Sequence, residues 1–76
     1  MEQFTYEIVK PVAVLGESGK LTTELNVVSY NGNEPKYDLR KWRACSTGKK
    51  MQKGLTLTKE ELIALRDVLN GLNDLK

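Results

Sequence analysis

An α+β fold is predicted by this sequence: a four-stranded antiparallel β-meander followed by one C-terminal helix (ββββα), assembled as a dimer. Three observations predict it. Segments rich in β-branched and aromatic residues are separated by Gly-centred breaks, GESGK at 16–20 and NGNEP at 31–35. Thr58 and Glu61 then open a leucine-rich stretch of helical period. Finally, 76 residues with one cysteine and no histidine make a single domain, 1–76, with a small core. Neither an internal disulfide nor the usual kind of zinc site reinforces it, so a second subunit is expected.

The first strand is marked by Phe4, Tyr6, Ile8, Val12 and Val14, which alternate on one face with Lys10 between them. Pro11 lacks a ladder donor, so this strand is expected at an edge or bulged there. Leu21, Thr23, Leu25 and Val27 mark the second strand, and the shift of pattern in VVSY predicts a bulge near Val28. In the third strand, KYDLRKWR, Tyr37 and Leu39 are expected on the inner face, and Lys36, Asp38, Arg40 and Trp42 on the outer one. STGKKMQK (46–53) reads as a flexible basic loop, and Leu55 and Leu57 as a short fourth strand. The helix opens on the Thr58/Glu61 capping box and runs to about residue 70, where Gly71 ends it or Leu72 and Leu75 continue it past a kink. Leu65, Leu69 and Leu72 form a seam wider than one sheet contact needs, and they are the expected dimer interface.

Charge is segregated along the chain. Residues 1–35 carry a net −3, residues 36–53 seven bases against Asp38 alone for +6, and residues 54–76 a net −1. A basic middle third between acidic flanks points to a polyanion, with a solvated lysine face as the plainer alternative. Several classes fall away. Without histidine there is no Ser-His or Cys-His nucleophile, no Gly-rich phosphate loop is present, and the carboxylates are scattered, so an enzyme is not expected. No cofactor, metal or small-molecule substrate is implied. No apolar run approaches the roughly 20 residues of a membrane span, and MEQFTYEIVK is not a signal peptide. A cytoplasmic, nucleoid-associated protein is the expectation.

The stretch Tyr30 to Lys53 carries the functional signal. Lys36, Arg40 and Trp42 interleave on one strand face, Tyr30 ends the neighbouring strand, and Arg43, Lys49, Lys50 and Lys53 follow. Cations hold phosphates, and rings between them stack bases at about 1–3 kcal/mol each whatever the sequence, which is the chemistry of single-stranded nucleic acid. Each residue has a plainer reading as well. Trp42 packs under the 46–53 loop, Arg40 pairs with Asp38 on its own face, Tyr30 is the last core residue, and the lysines serve solubility.

The segments SYNGNEPKYDLRKW and KGLTLTKEE, in this order of strands and helix, resemble the positive cofactor four family of transcriptional coactivators. The likeness spans roughly residues 4 to 72 and is nearest to the small bacterial YdbC-like single-stranded DNA-binding proteins. It implies a homodimer of curved four-stranded sheets, helices contributing to the interface, and single-stranded DNA crossing the sheets with little sequence preference. By the same resemblance Arg40 is a backbone contact, Lys53 the lysine opening the last strand, Tyr30 a base-stacking ring, and Trp42 or Arg43 part of an aromatic pair. Tyr30 stands where the bacterial group is expected to have Trp, and Arg43 where the eukaryotic type has a second aromatic. The Ser-rich acidic regulatory tail is absent. The expected function is non-sequence-specific single-stranded DNA binding in transcription, replication or repair. An RNA binder, or a protein-interaction module docking an acidic partner, are the alternatives.

Overall fold

A computed structural model describes residues 5–75. Four antiparallel strands, β1 (Tyr6–Ser18), β2 (Leu21–Tyr30), β3 (Lys36–Cys45) and β4 (Gly48–Leu57), lie side by side in chain order, and helix α1 (Lys59–Asn70) follows. The meander and the helix are those expected; Phe4 lies outside the described residues. Asn31 and Gly32, both at positive φ (52° and 75°), turn β2 into β3, as Asn-Gly pairs do where the turn must match strand twist. The Asn31 side chain accepts the Thr5 N–H at 2.9 Å, fastening the residue just before β1 to this turn.

Three features differ from expectation. The 46–53 segment is not a loop: only Ser46 and Thr47 turn, and β4 starts at Gly48. Its residues pair with β3, Lys49 opposite Ala44 and Met51 opposite Trp42, so cross-strand hydrogen bonds satisfy a backbone that composition alone makes look mobile. The bulge beside Val28 belongs to β1, not β2. There the register shifts three times, leaving Val9, Val12 and Leu15 as extra residues, so the simple alternation expected for the first strand is broken. Pro11 lies between two of these shifts, on an edge strand where its missing N–H costs no ladder bond.

The third difference concerns which face is inside. Each bulge bends and twists its strand, and the sheet curls accordingly. Tyr6 pairs with Tyr30 at one end of β2 and Trp42 with Thr22 at the other, yet the two rings come within 5.6 Å between centroids. The concave face encloses Val28, Asp38 and Trp42, which are 0%, 0% and 1% exposed. Tyr37 and Leu39, expected inside, are half-buried on the convex face that α1 covers only in part.

α1 is fixed at its start by the expected capping box. The Glu61 N–H donates to Thr58 Oγ1 at 3.1 Å, and the Thr58 N–H to Glu61 Oε1 at 2.9 Å. Thr58→Ala is expected to cost about 1 kcal/mol, read as a lower urea midpoint with an unchanged slope. The helix stops at Asn70, where Gly71 caps it in the right-handed region, and a short 3₁₀ turn (Asn73–Leu75) follows. No helix residue is fully buried. A groove of about 510 Å³ separates α1 from the sheet, lined by Leu15, Leu25, Leu39, Leu62, Leu65 and Leu69 among others.

Candidate nucleic-acid interface

The concave face is organised around a carboxylate. Strand alternation puts Asp38, Arg40 and Trp42 of β3 beside Asn26, Glu24 and Thr22 of β2, in that register. Asp38 is fully buried, and a buried charge needs partners on both oxygens. Arg40 supplies a fork, Nε to Oδ1 and Nη2 to Oδ2, each at 2.7 Å. The Tyr30 hydroxyl donates to Oδ2. The remaining Arg40 arm, Nη1, donates to the Gln52 carbonyl across the sheet at 3.0 Å. Burial, and then the bond to anionic Asp38, push the Tyr30 phenol up to about 12. The Asp38 hydrogen bond, set against a smaller cost of burial, also raises Arg40 above its ordinary value.

Trp42 is the second centre. The indole is covered rather than presented, which corrects the exposed stacking ring expected from the outward position of Lys36, Arg40 and Trp42. The Tyr6 ring tilts against it, and the Lys49 ammonium lies 4.7 Å from its centroid. Its Nε1–H finds no acceptor among the described residues, a burial that costs about 1–3 kcal/mol. Lys49 is held there by Glu24, Nζ to Oε1 at 2.7 Å. Burial opposes the charge on Glu24, but hydrogen bonds from Lys49, Thr22 and Asn26 outweigh it and hold the carboxyl below its usual value.

The residues picked out from the sequence therefore separate into two groups. Tyr30, Arg40, Trp42 and Lys49 are brought together on the concave face, the first three wholly or partly buried there and Lys49 lying over Trp42 with its side chain part-exposed. Lys36, Arg43, Lys50 and Lys53 are exposed, and among the described residues none of them is in an ion pair. Arg43 points to the opposite face from Arg40. There it pairs directly across the strands with Lys50, a juxtaposition of like charges that costs stability in the absence of an anion. Lys41 shares that face and donates to the Thr23 hydroxyl at 2.9 Å. Lys53 lies in the bulge of β4 opposite the Arg40–Trp42 step. Because β4 is an edge strand, Lys49, Lys50 and Lys53 bring cations from both faces to one rim.

Two contributors escaped the sequence reading. Glu24 looked like one of the acidic-flank residues, and its lysine is 25 positions away. Tyr6 looked like ordinary strand core, and only the curl of the sheet carries it to Trp42. Among the described residues no cluster of His, Cys, Asp or Glu is placed to hold a metal ion, and no helix is long and apolar enough to cross a membrane.

A short curled meander with a capped C-terminal helix, an aromatic and charged concave face, and an edge strand carrying Lys49, Lys50 and Lys53 define a small open-sheet α+β domain with one basic rim. Residues 20–68 match the family model described as Transcriptional Coactivator p15 (PC4). The chain is also similar to an uncharacterized protein of Treponema pallidum (strain Nichols), 41% identical over 73 residues, covering 95% of this chain and 84% of that protein. The chain belongs to the PC4 family of transcriptional coactivators, and it has a bacterial relative.

Proposed function

We propose that this protein is a non-enzymatic, non-sequence-specific single-stranded DNA-binding protein acting as a homodimer. The observation that carries the reading is the facing pair Arg43 and Lys50, the lysine on the rim strand β4 that also holds Lys49 and Lys53, with Lys41 of β3 on the same face as the pair. Two cations set opposite each other without a carboxylate repel, and phosphate relieves that repulsion. Family membership supports the same partner. The Trp42 ring lies on β3, one strand inward from this rim, and the Tyr30 ring on β2, two strands inward, both on the concave face that Lys49 borders, so a backbone laid along Lys49 meets Trp42 first. The buried state of Trp42 requires that face to open first.

Binding of this kind releases condensed cations, so log K should fall with log salt by about 0.7 per phosphate contact on single strands. A gel-shift comparison of oligo-dT, duplex DNA and RNA at two salt concentrations tests the reading. Oligo-dT is expected to bind most tightly. Lys53→Ala should reduce the slope by about 0.7, and Arg43→Ala by a similar amount. A slope near zero, or duplex preferred over single strands, defeats the proposal. The same rim would also attract an acidic peptide. Heparin then displaces that peptide as well as oligo-dT does, whereas base stacking makes oligo-dT the better competitor at matched charge.

The dimer rests on exposed apolar surface. Leu65, Leu69 and Leu72 are 37%, 42% and 43% exposed, beside the unfilled groove under α1. Val28 and Trp42 are the only fully buried hydrophobic residues among those described, so the chain by itself has little core to hold it. A second copy laid on the α1 seam supplies the missing contacts, in keeping with the two-fold symmetry of most small oligomers. Sedimentation should give twice the chain mass. A monomer at micromolar concentration overturns this part.

A further inference from the structure

We propose that Glu24 and Lys49 form a latch over Trp42, in which the Glu24 carboxylate occupies the place of a nucleic-acid phosphate and holds the stacking site shut. The inference rests on the nucleic-acid reading above and specifies how that site opens. Three observations converge on it. The Lys49 ammonium is bound to Glu24 Oε1 at 2.7 Å while it lies 4.7 Å from the centroid of the indole, so one residue both makes the ion pair and covers the ring. The lysine side chain is 40% exposed and the Glu24 side chain 10%, so an anion arriving from solution reaches the lysine without disturbing the carboxylate.

Glu24, moreover, does not depend on the lysine alone. The Thr22 hydroxyl donates to Oε2 at 2.6 Å and the Asn26 amide to Oε1 at 3.1 Å, and both stay when Lys49 leaves. A buried carboxylate keeping two donors is not stranded, which makes the exchange of partners inexpensive. A phosphate that takes the ammonium draws it off the ring, and the uncovered indole face receives a base. The Nε1–H, which has no acceptor among the described residues in the closed arrangement, gains access to one. Phosphate binding and base stacking are thereby coupled through one side chain, and a polyanion without bases opens the latch but gains nothing from the ring.

The single tryptophan makes this directly readable. Acrylamide quenching of Trp42 and titration with oligo-dT are compared in wild type, Glu24→Gln and Glu17→Gln. Glu17 is an exposed β1 residue opposite Thr22 that, among the described residues, makes no ion pair with Lys49, so its variant makes the same change of charge nearby and leaves the Glu24–Lys49 pair in place. Glu24→Gln is expected to raise quenching in the free protein. It should also tighten oligo-dT binding about two- to fivefold beyond Glu17→Gln, the factor corresponding to a part-exposed ion pair. Lys49→Gln leaves the buried carboxylate in place and reads the same latch from the other side: quenching rises while oligo-dT affinity falls. Equal tightening by the two glutamate variants, or indole quenching unchanged in Lys49→Gln, overturns the latch and leaves the nucleic-acid reading standing. Failure of the wild type to bind oligo-dT at low salt overturns both.

Discussion

Asp38→Ala is expected to cost about 3–5 kcal/mol and to leave most of the chain unfolded, because it removes one half of a buried charge pair and strands the other. Arg40 then keeps its bond to the Gln52 carbonyl and the neighbouring Tyr30 ring but no carboxylate, in a place where its side chain is 12% exposed. Domains have about 5–15 kcal/mol of stability in all, and one of this size sits toward the bottom of that range. Urea denaturation followed by Trp42 fluorescence measures the loss; a midpoint equal to that of the wild type would falsify the central role given to Asp38. Asp38→Leu combined with Arg40→Met removes both charges together and is expected to lose far less than Asp38→Ala alone. The network also sets a behaviour at high pH. The folded state holds the Tyr30 proton more tightly than the unfolded chain does, about 12 against 10.0. Its contribution to stability is therefore intact below about pH 10 and declines as the pH climbs toward 12. Tyr30→Phe should lack that decline.

Gly54→Ala is the second large effect, and its cause is steric. A Cβ at Gly54 would stand 1.9 Å from Arg40 Cβ, 2.6 Å from the Leu39 carbonyl oxygen and 2.7 Å from Arg40 Cα. None of these atoms can rotate away. The β3–β4 pairing has to separate just where the bulge begins, breaking the seat of both Arg40 and Trp42. The expected loss exceeds the about 1–3 kcal/mol usual for overpacking. Oligo-dT affinity should fall with it, because the rim carrying Lys49, Lys50 and Lys53 shifts as one piece. Gly16→Ala is the matched comparison: nothing lies within 4 Å of the added carbon, and its midpoint should hardly move. A Gly54→Ala protein as stable as Gly16→Ala would show that the two strands do not approach this closely.

Much of the molecule is legible in its sequence. Asn31-Gly32 specifies its turn because only such residues accept positive φ there, and Thr58 with Glu61 specifies the helix start because two orphan N–H groups need those two side chains. Both are short-range constraints, settled within four residues. The basic character of 36–53 could be read as well, since charge does not depend on folding. The plainer reading of Arg40 as the partner of Asp38 also holds, although the pair is buried rather than superficial.

What the sequence by itself determined was the order of the elements, the Asn31-Gly32 turn, the cap that starts the helix, and the division of the third strand into two alternating sets of side chains. Which set is enclosed was decided by tertiary structure alone. Alternation is symmetric: it separates Asp38, Arg40 and Trp42 from Tyr37 and Leu39 but does not say which way the sheet will curl. The three bulges of β1 and the one of β4 set the sense of that curl, and their cost and benefit depend on partners across the sheet. Composition favoured the leucine face as the interior, whereas the curl closed the charged and aromatic one. That choice is affordable because Arg40, Tyr30, Thr22, Asn26 and Lys49, contributed by three different strands, converge on the two buried carboxylates.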